Sequence, residues 1–190
     1  MKTYSLILFL HVVGAFGIFV SFVLEWLNLD GLQRSCAVEE TCASLKGFVV
    51  VSRIGGPSYL IALISGIYLW QSSWRGAAWP VMALISLVVM AMIGAVLTVP
   101  RLIAFGRLFS GKTIGEPVVQ KFGTMQLLWV SFQVRVMMAL GITFLMTVKP
   151  GMSGSLTALT TAILIGLSAD PAIVSYYRSH DICAMSLRRE

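Results

Sequence analysis

Residues 78–99 read AWPVMALISLVVMAMIGAVLTV, an apolar run that contains no charged residue. A helix needs about 20 apolar residues to cross the hydrocarbon core of a bilayer, so this run predicts a membrane-spanning helix. The whole chain has the same character: 57% of its 190 residues are hydrophobic and 12% are charged, whereas a soluble domain has about 25% charged residues. Such a chain cannot cover a water-facing surface, which excludes an ordinary soluble domain and a disordered protein.

Similar apolar runs predict an all-α, polytopic transmembrane helix bundle that forms one domain over residues 1–190. The first run is too long for a signal peptide, so we expect it to be retained as the first helix. The five predicted helices cover residues 4–29, 50–70, 78–99, 124–148 and 155–174. Three polar or basic segments lie between or after them: a loop at 30–46, an interfacial segment at 100–123 and a tail at 175–190.

The basic residues are distributed unevenly between the two ends of these helices. Ten of the fourteen lysines and arginines fall on one side, and the other side has only Lys2, Arg75 and Lys149. Because cytoplasmic loops carry the excess of basic residues, the N-terminus is predicted outside the cell (inner or plasma) membrane and the C-terminus in the cytoplasm. Topology accounts for these charges, so no nucleic-acid partner is predicted. The predicted partners are the lipid bilayer and either further copies of the chain or a larger membrane complex.

Arg135 lies in the middle of the predicted fourth helix. An arginine at the centre of a membrane-spanning helix costs about 2.5–3.5 kcal/mol on insertion scales, so its side chain must face protein or water and find a partner. Glu25 and Asp170 are the only carboxylates inside the predicted spans, and both are placed toward the cytoplasmic side. Two interpretations are open: a buried ion pair that fixes the packing, or a site for an anion or a proton.

Further polar residues occupy two faces of the fourth helix. Gln126 and Gln133 are seven residues apart and share one face, while Ser131 and Arg135 lie on the opposite face. Because a lipid-facing helix would not carry polar groups on both sides, this helix is predicted to be central in the bundle. Its polar groups either join Arg135, Glu25 and Asp170 in one intramembrane network or only make hydrogen bonds between helices.

The second helix contains Gly55, Gly56 and Pro57. This cluster predicts a helix break, either a plain kink or a local unwinding that would free backbone carbonyls, as in discontinuous transporter helices.

His11 is the only histidine inside a predicted span. An imidazole can bind haem iron or copper, carry protons or simply form a hydrogen bond within the packing. A metal or haem site needs a second ligand, and the methionines of the third and fourth helices could supply one, although methionines in apolar helices usually fill space.

The opening of the first helix, LFLHVVGAFG at residues 8–17, resembles a pattern found in several bacterial membrane families. In these families the first helix carries Leu-His followed by small residues. They are a family of uncharacterised predicted integral membrane proteins and, more distantly, the copper-resistance protein D and membrane protoporphyrinogen oxidase families. The stretch SGIYL at residues 65–69 is also similar to the end of their second helix. The resemblance covers about the first three helices and implies that His11 handles haem b or copper.

Two classes of function are therefore open. The first is a redox or accessory protein that handles haem or copper through His11. The second is a permeation module for ions or small molecules, or an assembly module of a membrane complex, built on Arg135 with Glu25 and Asp170. The chain contains no Walker loop, dinucleotide fingerprint, nucleophile elbow or HExxH motif, so the sequence does not indicate an enzyme class.

Overall fold

The computed structural model of the chain describes residues 2–34, 38–103 and 118–168. Within these ranges every residue is helical except two short links at 74–77 and 149–151. The helices are α1 (Lys2–Arg34), α2 (Val38–Ser73), α3 (Ala78–Ile93), α4 (Val118–Val148) and α5 (Met152–Ser168). A π-helical segment, Gly94–Thr98, follows α3 directly, and residues 99–103 are α-helical again. The all-α fold class is confirmed.

Four stretches of these helices are long and apolar enough to cross a membrane: Thr3–Gln33, Lys46–Ser73, Ala78–Ile103 and Gln126–Val148. Helix α5 is also apolar but has 17 residues, which is about 26 Å at helical rise and slightly less than the roughly 30 Å hydrocarbon core. The fifth helix was predicted to continue to residue 174. Asp170 and the predicted tail lie outside the described residues.

Most of the predicted polar loop at 30–46 is helical. Helix α1 continues to Arg34 and α2 begins at Val38, so only the chain between them is left to connect the two helices. Leu32 is fully buried, and the Asn28 side chain fills the space that a Cβ on Gly47 would need. The packing of α1 against α2 thus extends beyond the apolar runs. Hydropathy marks where a helix leaves the lipid, not where the helix ends.

Both ends of the predicted basic interfacial segment at 100–123 are helical. Its first residues continue the helix after the π segment, and its last residues belong to α4, which begins at Val118. The part between them, at 104–117, lies outside the described residues.

Helix α2 runs without interruption through Gly55, Gly56 and Pro57. Of the two forms of helix break that were predicted here, the local unwinding is therefore wrong. Proline removes one backbone hydrogen bond, but the packing around this turn holds its helical geometry. The Ser58 hydroxyl donates to the Ile54 carbonyl at 2.7 Å. Helix α1 also lies close by, because a Cβ on Gly55 would be 3.3 Å from the Ser21 side chain.

Helix α4 is the most buried of the long helices, which confirms its predicted central position. Of its most apolar window, 56% of the residues are buried, against 22–28% in the other three long spans. It contacts α1, α3, the π segment and α5. Polar side chains on this helix can therefore meet partners from several directions.

Glycine permits the closest approach of α1 to α2. A Cβ on Gly14 would lie 2.8 Å from the Ala62 backbone nitrogen and 3.1 Å from the Ser58 carbonyl oxygen. We expect Gly14→Ala to lower the free energy of unfolding by about 1–3 kcal/mol, because the two backbones must move apart. Gly56→Ala is the matched control, since nothing lies within 4 Å of its Cβ position and alanine favours a helix by about 1 kcal/mol over glycine. Thermal unfolding in one detergent compares the two variants, and equal midpoints would contradict the close approach.

Candidate functional site

Arg135 and Glu25 form a buried ion pair between α4 and α1. The pair joins Arg135 Nη2 to Glu25 Oε1, and the two residues are only 6% and 3% exposed. Helix α1 ends five residues later than predicted, and the two side chains meet directly.

Two hydroxyl residues complete the contacts of the guanidinium. Arg135 Nη2 also donates to Thr98 Oγ1 at 3.4 Å, and Arg135 Nε donates to the Ser131 carbonyl at 3.3 Å. The Thr98 and Ser131 hydroxyls are joined by a hydrogen bond of 3.1 Å. Every one of these groups is buried, so the charge is shared among protein partners rather than water. We call Arg135, Glu25, Thr98 and Ser131 the charge network.

The π segment shapes the wall of the charge network. Its first residue, Gly94, leaves room for the arginine, because a Cβ there would lie 3.4 Å from Arg135 Nη1. Its last residue is Thr98, which bonds to the guanidinium. A π-helical turn shifts the residues that follow it relative to an α-helix, and such turns are frequent at functional sites. No motif in the apolar run at 78–99 indicated this turn.

Two aromatic rings border the network. The Arg135 Cζ atom lies 5.9 Å from the centroid of the Phe22 ring, within the range of a cation–π contact. The Tyr59 hydroxyl is buried, and no described residue lies within hydrogen-bond geometry of it. Four residues of this region were not predicted from the sequence: Gly94, Thr98, Phe22 and Tyr59. Hydroxyl groups and aromatic rings are common in membrane-spanning helices, and only their contacts in the structure distinguish these residues.

The two glutamines predicted in the network are separate from it. Gln126 is exposed on α4. Gln133 is half-buried, and its side-chain oxygen is buried without a hydrogen-bond partner. Asp170 lies outside the described residues. Of the three charged residues predicted to meet inside the bundle, the structure thus brings together Arg135 and Glu25.

A cavity of about 300 Å³ lies on the other side of the bundle centre, enclosed by α1, α2, α3 and α4. Its floor is formed by apolar side chains near the middle of these helices: Ile18, Leu87, Met90 and Ala139. Its mouth, at the α2–α3 and α4–α5 links, is formed by aromatic residues and one cation: Tyr4, Trp70, Trp74, Trp79 and Lys149. The Gly55–Pro57 region does not line it.

The cavity floor and the charge network are stacked along the helices. Ile18 and Phe22, Met90 and Gly94, and Ala139 and Arg135 are each four residues apart on their helices. Four residues correspond to about 6 Å of helical rise. The charge network therefore begins about one turn below the cavity floor, at Arg135 and the residues Phe22 and Gly94 that border it, and extends about one turn further to Glu25, Thr98 and Ser131.

His11 belongs to the cavity wall and is held by α2. Its Nδ1 atom lies 3.0 Å from the Ala62 carbonyl oxygen and 3.0 Å from Ser65 Oγ. A carbonyl can only accept, and the Ser65 hydroxyl already donates to the Ile61 carbonyl, so Nδ1 carries the proton. In the neutral ring, Nε2 is then a free acceptor. Gly66 makes room for the imidazole, because a Cβ there would be 3.2 Å from His11 Cε1.

Donors for a metal ion are few around the cavity. Across the described ranges, no group of three or more histidine, cysteine, aspartate or glutamate side chains could hold a metal ion. Of the methionines considered as second ligands for His11, Met90 and Met146 line the same cavity.

Comparisons with known proteins were made for the whole chain. No family model matches it, and no curated protein and no solved structure is significantly similar to it. The likeness of the first helix to haem- and copper-handling families therefore stays a prediction.

The charge network yields a test of its own. Arg135→Met leaves a buried carboxylate without a partner, and Glu25→Met leaves a buried guanidinium, so each is expected to cost about 3–5 kcal/mol of unfolding free energy. The double variant removes both charges and should cost clearly less than the sum of the single variants. Unfolding in one detergent measures all three together with Thr98→Val, which removes a neutral hydroxyl and should cost about 1 kcal/mol. Additive losses in the double variant would argue against a direct pair.

Proposed function

We propose that the chain is a multi-pass membrane protein that binds a lipid-soluble small molecule in the cavity beside His11. The observation that carries this proposal is the cavity itself: a mostly apolar space of about 300 Å³, open at one end, with the imidazole of His11 in its wall. Small-molecule sites are typically apolar clefts of roughly 300–1,000 Å³ with a few polar groups that orient the ligand.

The walls suggest what the ligand must offer. Most of them are aliphatic or aromatic, so the body of the ligand is apolar. Because the proton of His11 is on Nδ1, the remaining ring nitrogen accepts a hydrogen bond. A hydroxyl or amine group on the ligand would satisfy it, and a hydrogen bond in such surroundings contributes about 0.5–1.5 kcal/mol.

We further propose five crossings of the cell membrane, with the N-terminus outside. Support comes from the charge distribution: Arg75 and Lys149 lie in the links at the end of the bundle where the cavity opens, while Lys46 and Arg101 lie toward the opposite end of their helices. Under the positive-inside rule the mouth faces outward. Helix α5 would make the fifth crossing with a chain extension beyond residue 168. Assembly with further copies or a larger complex remains a prediction.

A haem or copper site at His11 is the second candidate, and one observation favours it. A ring nitrogen bonded to a backbone carbonyl is the usual arrangement of a metal-binding histidine. The cavity nevertheless fits a compact organic molecule better than haem, because about 300 Å³ is small for a porphyrin. A copper ion would have only His11, Met90 and Met146 as nitrogen and sulfur donors in the cavity wall.

The charge network is better explained as a structural element than as a permeation site. Neither Arg135 nor Glu25 lines the cavity. The guanidinium already has a carboxylate, a hydroxyl and a carbonyl as partners. A transported ion would have to displace one of them.

A matched pair of substitutions on α3 tests the binding proposal. Ala83 lines the cavity and is 4% exposed, whereas Ala91 is exposed on the same helix. The probe is 1-aminoanthracene, a neutral aromatic amine whose fluorescence rises in apolar surroundings. In protein-containing nanodiscs we expect saturable binding to the wild type and to Ala91→Phe, and at least tenfold weaker binding to Ala83→Phe. Equal binding by the two variants would place the probe in the lipid and refute the proposal.

His11→Phe tests the polar contact separately. The variant keeps an aromatic ring but removes the acceptor, so we expect about fivefold weaker binding of the amine probe, consistent with one hydrogen bond. An absorption spectrum of the purified wild type addresses the second candidate. A Soret band that disappears in His11→Ala would favour haem over the organic ligand.

A further inference from the structure

Lys149 is a cation at the mouth of the cavity, with its side chain held against an indole ring. Its Nζ atom lies 4.3 Å from the centroid of the Trp74 ring, and Trp74 packs edge-to-face on Trp79 at 5.3 Å. Lysines at a membrane surface usually extend toward water. Lys149 is also exposed, but its ammonium lies over a ring that lines the cavity.

The backbone holds Lys149 in a conformation that favours glycine. Among the described non-glycine residues it alone has a positive φ, at 52°. Its N–H donates to the Leu145 carbonyl at 3.0 Å, which closes the end of α4. The next residue is Pro150, and a residue before proline normally adopts extended geometry. Residues kept in such unfavourable conformations cluster at functional sites.

Among residues 2–34, 38–103 and 118–168, no ion pair joins Lys149 to a carboxylate, and the pair between Arg135 and Glu25 is distant from it. A cation–π contact orients an ammonium group but leaves its charge uncompensated. An anion at the mouth of the cavity would neutralise this charge.

We infer that Lys149 is the headgroup-binding residue of the cavity, and that the ligand is an amphiphile with one negatively charged head and an apolar tail. This inference rests on the proposed function, because the tail would occupy the same cavity. Gly66, which lies beside His11 on α2, is eight residues before Trp74, which contacts Lys149 and directly follows the end of α2. The head would thus lie about 12 Å from the level of His11 along the helix, and the tail would pass the imidazole on its way to the floor at Met90.

The experiment compares three compounds with the same tail and different heads: decanoate, decanol and decylammonium. Each displaces 1-aminoanthracene from wild-type protein in nanodiscs, with protein-free nanodiscs correcting for partition into lipid. We expect decanoate to bind at least fivefold more tightly than decanol, and decylammonium to bind most weakly. Lys149→Asn should abolish this order, since asparagine tolerates positive φ but carries no charge. Lys149→Arg should retain it.

Arg75→Gln is the matched control, because Arg75 is exposed in the link at the same end of the bundle but does not line the cavity. We expect it to leave the order unchanged. If Arg75→Gln removes the preference as well, the effect is a general surface charge, and the inference is wrong. It is also wrong if Lys149→Asn retains the preference. In either case the proposed function stands as long as Ala83→Phe still blocks 1-aminoanthracene.

Discussion

The pairing of Arg135 with Glu25 is the constraint on which the bundle depends. Two charges in a membrane interior cannot be left apart, because each would cost several kcal/mol without a partner. Their contact fixes the distance and the rotation of α1 relative to α4. The π segment then has to present Gly94 and Thr98 to the same guanidinium. The Arg135 guanidinium thus brings together α1, the π segment and α4, which are far apart in the sequence.

The cavity follows from this arrangement and from the size of the residues above it. Below its floor, Phe22 and the charge network fill the bundle. Above the floor, the residues that line the space between the helices include several small ones: Ala15, Ala62, Gly66 and Ala83. Larger side chains at these places would pack the space as in an ordinary core. The void is therefore bounded by rigid packing on one side and opens at the membrane surface on the other.

How much could be predicted differs between the fold and the site. Apolar runs are long enough to reveal helices, and the cost of a buried arginine was enough to predict that it needs a partner, for which the sequence offered Glu25 and Asp170. The helix ends at Arg34 and Val38 could not be predicted, because a helix that has left the lipid no longer needs an apolar sequence. The unbroken turn at Pro57 depends on the contact with α1, and the π segment on the contact with α4. A cavity results from the packing of many side chains, so no single residue in the sequence predicts it.

The position of the mouth determines from where a ligand can come. Tryptophans gather at the level of the lipid headgroups, and Trp70, Trp74 and Trp79 all border the opening. A molecule dissolved in water would have to cross this aromatic layer, whereas an amphiphile in the bilayer already has its head at that depth and its tail in the hydrocarbon. Sliding sideways between Tyr4 and Lys149 would move its tail from lipid into protein without exposing it to water. The apolar floor would then limit the length of tail that the cavity can hold, since the charge network closes the path one turn below.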